Sequence, residues 1–102
     1  MIERKILLAF IRVHILYHAT NDTDGIHGAA MITELQNHGY SISPGTLYPI
    51  LHHLKKDGIL QVHTKTVNGK QRKQYTTTEK GKETLHNLID FIRELSKEVT
   101  IK

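Results

Sequence analysis

Hydrophobic and polar positions along the chain change rhythm at a few marked points, and each change predicts a boundary. From Ile2 to His18, the residues Ile6, Leu7, Phe10, Ile11 and His14 follow the spacing of an α-helix. Val13, Ile15, Leu16 and Tyr17 make that helix apolar nearly all round, the pattern of a helix buried on several sides. Ala19 to Gly25 is a polar break, within which Asp22, Thr23 or Asp24 is placed to cap a second helix. That helix spans about Ile26 to His38, with Ala30, Met31, Ile32 and Leu35 for packing and Gly39 past its last turn. Ser43 followed by Pro44 then gives a hydroxyl cap and a proline at the first helical position. Leu47, Ile50, Leu51 and Leu54 make one stripe of this third helix, Asp57-Gly58 ends it, and Pro49 falls near the first turn, where a missing N–H is tolerated.

The period then drops to two. Ile59 to Val67 sets Leu60, Val62 and Thr64 on one face and Gln61, His63 and Lys65 on the other. Asn68-Gly69 predicts a two-residue hairpin turn, with a return strand from about Lys70 to Thr77. Thr78 before Glu79 caps a last helix to about Val99, whose Leu85, Leu88, Ile89, Ile92, Leu95 and Val99 recur close to a heptad. The expected fold is mainly α with a small β-hairpin: a winged helix-turn-helix over 1–77 and a dimerisation helix over 78–102.

Composition narrows the chemistry. A chain of 102 residues suits one compact domain with one appended element. With no cysteine, disulfide scaffolds, thiolate zinc sites and cysteine nucleophiles are excluded together, and a reducing cytoplasmic setting is expected. No apolar stretch approaches the ~18–20 residues of a membrane helix. The first helix is interrupted by Arg12 and two histidines and lacks a small-residue cleavage pattern, so it does not read as a signal peptide. Phosphate-binding glycine loops, serine-elbow motifs and HExxH are missing, and the serines are only Ser41, Ser43 and Ser96, so no catalytic residue is expected.

The net charge is +4, but Lys55 to Lys82 carries eight Lys/Arg against two Asp/Glu, and the remainder is net acidic. A basic block on a near-neutral body points to a phosphate-rich partner. With the third helix's stripe turned inward, Gly45, Thr46, Pro49, His52, His53 and Lys56 face outward. Ser43 and Thr46 lie at its N-terminal end, where backbone N–H groups favour phosphate, and Tyr48 sits at the flank. Lys70, Arg72 and Lys73 follow the hairpin turn as a wing tip. Double-stranded DNA is the expected partner, read by Ser43, Gly45, Thr46, Tyr48, His52, His53, Lys56, Lys70, Arg72 and Lys73. The alternative is a helical interaction module that uses the last helix and binds no DNA.

The string Ser43-Pro44-Gly45-Thr46-Leu47-Tyr48-Pro49, with Leu51, Leu54, Gly58, the Tyr75 strand and the Thr78-Glu79-x-Gly81 opening of the last helix, resembles the PadR family of bacterial winged-helix transcriptional regulators. Gly28 stands where that family has a glycine opening the second helix. The resemblance covers about Ile26 to Leu88. It implies a homodimeric repressor on a palindromic operator, released by an effector, with the last helix packed against the partner subunit. It also implies flat aromatic ligands held between tryptophans at the dimer interface. There is no tryptophan here, and Phe10, Tyr17 and Phe91 are the substitutes, unless they are plain core. One helix beyond the winged part leaves little room for a separate sensor domain, so an effector is expected at or near that interface.

Eight histidines remain to be placed. His14 and His18, four apart, share one face of the first helix, an arrangement that can hold one metal ion. His27 lies just across the loop that carries Asp22 and Asp24. His14, His18 and His27 are therefore the candidate ligands for zinc or a similar divalent effector; no cofactor is otherwise required. The competing reading packs His14 in a helix interface and leaves the other two on the surface.

Overall fold

The computed structural model describes residues 2–100; positions 1, 101 and 102, the outer ends of the expected two-part division, lie outside them. Four helices and one hairpin follow in order: α1 Ile2–Asn21, α2 Gly28–Asn37, α3 Pro44–Lys56, β1 Leu60–Val67, β2 Lys70–Thr77 and α4 Glu79–Val99. The predicted order holds element for element.

Three boundaries move, two for local reasons and one for a tertiary one. α1 continues through Asn21, its last turn closed by Thr20 Oγ1 donating to the Leu16 carbonyl and Asn21 Nδ2 to that of Tyr17, with Ala19 buried beneath. α2 begins only at Gly28, because Ile26 pairs with Tyr75 of β2: each N–H donates to the other's carbonyl, at 2.9 and 2.7 Å. None of Asp22, Thr23 and Asp24 caps the helix. His27 takes the cap position without a side-chain cap bond, and Asp24 pairs with Lys65 instead. Gly25 makes this bridge possible. Its φ is +80°, and a Cβ there would stand 2.2 Å from the Tyr75 carbonyl oxygen. β1 begins at Leu60, since the Ile59 N–H bonds back to the Leu54 carbonyl at the end of α3.

α3 starts with Ser43 at its N-cap and Pro44 inside the first turn, but the Ser43 hydroxyl makes no cap bond; its carbonyl accepts from Thr46 and Leu47. Pro49 is the sixth helical residue, in the second turn and not the first, so the Gly45 carbonyl loses its i+4 donor. Gly45 itself is exposed, so that carbonyl lies at the solvent-facing start of the helix.

The hairpin register runs from Leu60 opposite Thr77 to Val67 opposite Lys70. Asn68 (φ 52°) and Gly69 (φ 78°) form the turn with both central residues left-handed, as their sequence requires. Alternation buries side chains only at the hairpin's base; Thr64 and the residues beyond it on β1 are largely exposed. Ile15, Met31, Leu35, Leu47, Leu51 and Leu60 are fully enclosed, so the core lies between α1, α2, α3 and that base.

α4 is joined to this core through Thr78. Its hydroxyl accepts from the Gly81 N–H at 3.0 Å and donates to the Gly58 carbonyl at 2.5 Å, with the Ile59 carbonyl at 3.2 Å. Its own N–H donates to Ile59, and Lys80 Nζ donates to the Asp57 carbonyl. One residue thus ties the exit of α3 to the start of β1 and of α4.

Two helices do not bury what their patterns offer. α1 encloses Ile11, Ile15, Leu16 and Ala19, but Ile2, Ile6, Leu7, Phe10 and Tyr17 remain exposed. In α4 Leu85 is buried in its own chain, Leu88 and Ile89 are half-buried, and Ile92, Leu95 and Val99 are exposed. Phe10, Tyr17 and Phe91 are surface residues and not core, with Phe91 74% exposed. α4 extends the molecule to 51 × 29 × 23 Å, with a radius of gyration of 14.4 Å, where a compact chain of this length has about 13 Å.

Candidate nucleic-acid interface

α3 lies with Leu47, Ile50 and Leu51 inward, so its other side is fixed against solvent. Ser43, Gly45, Tyr48, Pro49, His52, His53 and Lys56 are exposed, and Thr46 is half-buried. The α2–turn–α3 unit is a helix-turn-helix, with His38 closing α2, Gly39 at φ 94° and Tyr40 leading away. Tyr48 is more than a flanking residue. Its ring lies across Gly28, where a Cβ would come within 2.4–2.5 Å of three of its atoms, so only glycine lets α2 and α3 approach here. The phenol is held at the start of α2, whose first N–H groups receive no side-chain cap.

Arg4 was not among the sequence candidates. Its guanidinium reaches Thr46 Oγ1 at 3.5 Å, a long contact that sets a cation of α1 beside the start of α3. Forty-two residues separate the two, so no local pattern signals the pair.

The basic block divides by pairing. Lys65 is bonded to Asp24, Lys80 to the Asp57 carbonyl and Lys82 to Glu79. Lys55, Lys56, Lys70, Arg72 and Lys73 have no such partner among the described residues. The unpaired cations therefore fall at the last turn of α3 and along the wing. The register also separates them by face: Lys70 and Arg72 stand with Lys65 and Val67, whereas Lys73 stands with Thr64 on the opposite side. The three wing cations are thus not one patch, which the two-residue turn already implied.

His27 is drawn to the wing by the Ile26–Tyr75 bridge. Burial and then the nearby Arg72 charge hold its imidazole below the ordinary value. It is not among the imidazoles that converge with His14 and His18, although its loop position groups it with them. His14 and His18 meet His38 instead, because the C-terminal end of α2, not its start, lies beside their face of α1. His14 is also held below the ordinary imidazole value, by burial first and then by His38 and His18, with Glu34 opposing.

Among the described residues no helix is long and apolar enough to cross a membrane. Residues 15–87 match the transcriptional regulator PadR-like family. The chain is 42% identical over 96 residues to the transcriptional regulator Rv3488 of Mycobacterium tuberculosis, covering 94% of this chain and 88% of that protein. A PadR-like transcriptional regulator from Bacillus cereus superposes with a TM-score of 0.84 at 28% identity, over 93% of this chain and 92% of that one. A PadR-like transcription factor from Bacteroides fragilis gives 0.79 at 25% identity, over 96% and 94%.

Proposed function

The chain belongs to the PadR-like family of transcriptional regulators, and from that premise we propose that it is a homodimeric repressor that occupies an inverted-repeat operator until an effector releases it. With that membership the alternative of an interaction module that binds no DNA falls away, and no enzymatic role is needed.

The observation that carries the DNA contact is the set of five unpaired cations, Lys55, Lys56, Lys70, Arg72 and Lys73, on α3 and the wing. Cations without protein partners keep their charge available for phosphate, and each phosphate contact releases counterions. In this reading the exposed start of α3, with Ser43, Gly45, Thr46 and then His52 and His53, enters the major groove and meets base edges. Tyr48 and the uncapped start of α2 hold a phosphate at the flank, and Lys56 meets the backbone at the far end.

The dimer reading rests on the uncovered stripe of α4. Ile92, Leu95 and Val99 with Phe91 form an apolar surface that a second α4 would cover, and Ile6 and Phe10 of α1 are likewise exposed and available to a partner. Twofold symmetry then sets two α3 helices about 34 Å apart, one turn of DNA. The division into a winged part over 1–77 and a dimerisation helix over 78–102 follows, except that Leu85 serves its own chain's core.

Footprinting on DNA flanking the gene tests this. Protection of an inverted repeat is expected. In a salt series, Lys70→Ala and Arg72→Ala each make the slope of log affinity against log salt shallower by about 0.9 per lost phosphate contact. Unchanged affinity and slope in both variants would remove the wing from the interface.

A further inference from the structure

We propose that His14, His18 and His38, with Glu34, form a binding site for one divalent ion of the zinc class that pins α1 to the C-terminal end of α2.

The site is built from two matching pairs. His14 and His18 are four apart on α1, Glu34 and His38 four apart about the end of α2, and each spacing puts both side chains on one face. The helices pack with these faces opposed. One nitrogen from each of the three imidazoles lies within 4.8 Å of the other two. Nitrogens bound to a tetrahedral zinc stand about 3.4 Å apart, so under about 1 Å of movement per ring closes the set. His38 is exposed and has room to make that movement. Glu34 Oε2 stands 2.8 Å from His38 Nε2 and 3.5 Å from His18 Nε2, outside the converging set of imidazoles but beside two of its members, from where it can supply a fourth ligand as the set closes.

The surroundings are those of ligands and not of a simple ion pair. His18 turns Nε2 toward Glu34 and Nδ1 toward the Asp22 carboxylate at 3.7 Å. A carboxylate behind a ligating histidine fixes the ring and raises its basicity. His14 Nε2 is held 3.0 Å from the Tyr40 hydroxyl, and its ring stacks on His38 with centroids 5.0 Å apart. Neutralising Glu34 requires one histidine, whereas three converge. Three imidazoles and one carboxylate, without sulfur, suit zinc, cobalt(II), nickel or copper and not calcium or magnesium, which take oxygen sets. Placement gives the ion a consequence: α2 passes through Gly39 and Tyr40 into α3, so the pinned end is the end that carries the DNA-reading helix. This last step rests on the DNA reading above; the site itself does not.

Titration of the full chain with cobalt(II), followed by competition with zinc, tests the site. The expected result is one ion per chain, the strong visible absorption of four-coordinate cobalt, and its loss on adding zinc. His38→Ala and His18→Ala each weaken binding ten-fold or more, Glu34→Gln weakens it, and His27→Ala leaves it unchanged. Weak six-coordinate absorption, or a titration that His38→Ala does not alter, would overturn the site. DNA binding of the same variants is measured in EDTA, so failure of the metal site and failure of the DNA reading are seen separately. His38 is exposed, so its replacement leaves the core intact.

Discussion

α3 and α4 are both amphipathic, yet they resolve their apolar stripes differently. Leu47, Ile50 and Leu51 of α3 are all but completely enclosed by their own chain, while beyond Ile89 the stripe of α4 faces water, with Leu95 51% exposed. The difference separates two kinds of information in similar patterns. A stripe met within the chain leaves the opposite face free, as the exposure of His52, His53 and Lys56 shows. A stripe left uncovered describes a surface that only another molecule can complete.

Truncating the same side chain on each helix measures this contrast. Leu47→Ala should cost about 2–5 kcal/mol of folding stability, because a fully enclosed leucine leaves a cavity; denaturant unfolding reads it. Leu95→Ala should cost the single chain within about 0.5 kcal/mol but shift sedimentation toward a monomer, and equal losses at both positions would erase the distinction. A smaller effect sits at the joint between the two helices. Thr78→Ala removes the cap of α4 and should lower stability by about 1 kcal/mol, read by thermal unfolding. The smallest concerns pH. His14 and His27 are both held below the ordinary imidazole value of 6.5, so the unfolded chain binds more protons as pH falls through that value. Their contribution is neutral well above that value and turns against the fold as pH falls through it. His27→Gln should flatten that decline without abolishing it, as the midpoint of unfolding against pH will report.

What was legible in the sequence follows the reach of each signal. Ser43-Pro44, Asn68-Gly69 and Thr78-Glu79 act within three or four residues, and the elements they open begin where those signals place them. The start of α2 was not legible, since it is decided by Tyr75, forty-nine positions after Ile26. The histidine grouping failed for the same reason. Nearness along the loop favoured His27, while the packing of α1 on the far end of α2 selects His38. Arg4 beside Thr46 had no local signature at all. The opposite facing of Lys73 differs from these, because a two-residue turn fixes register and register fixes face. The all-round apolar pattern of α1 divides along its length: from Ile11 to Thr20 every residue but Tyr17 is buried or half-buried, whereas Ile2, Ile6, Leu7 and Phe10 nearer its start find no cover in their own chain.

The Thr78 junction has a mechanical meaning in the proposed dimer. A flexible hinge between α3 and α4 would let each reading head swivel and accept half-sites at varied spacing. Here one hydroxyl, two backbone carbonyls and the close seat of Gly81 against Ile59 join the two helices as a knuckle. In that dimer a tilt of α4 at the symmetry axis would be delivered to the DNA as displacement of α3, with the wing carried along. The span between the two heads would then be a gauge, set at the axis and read at the operator.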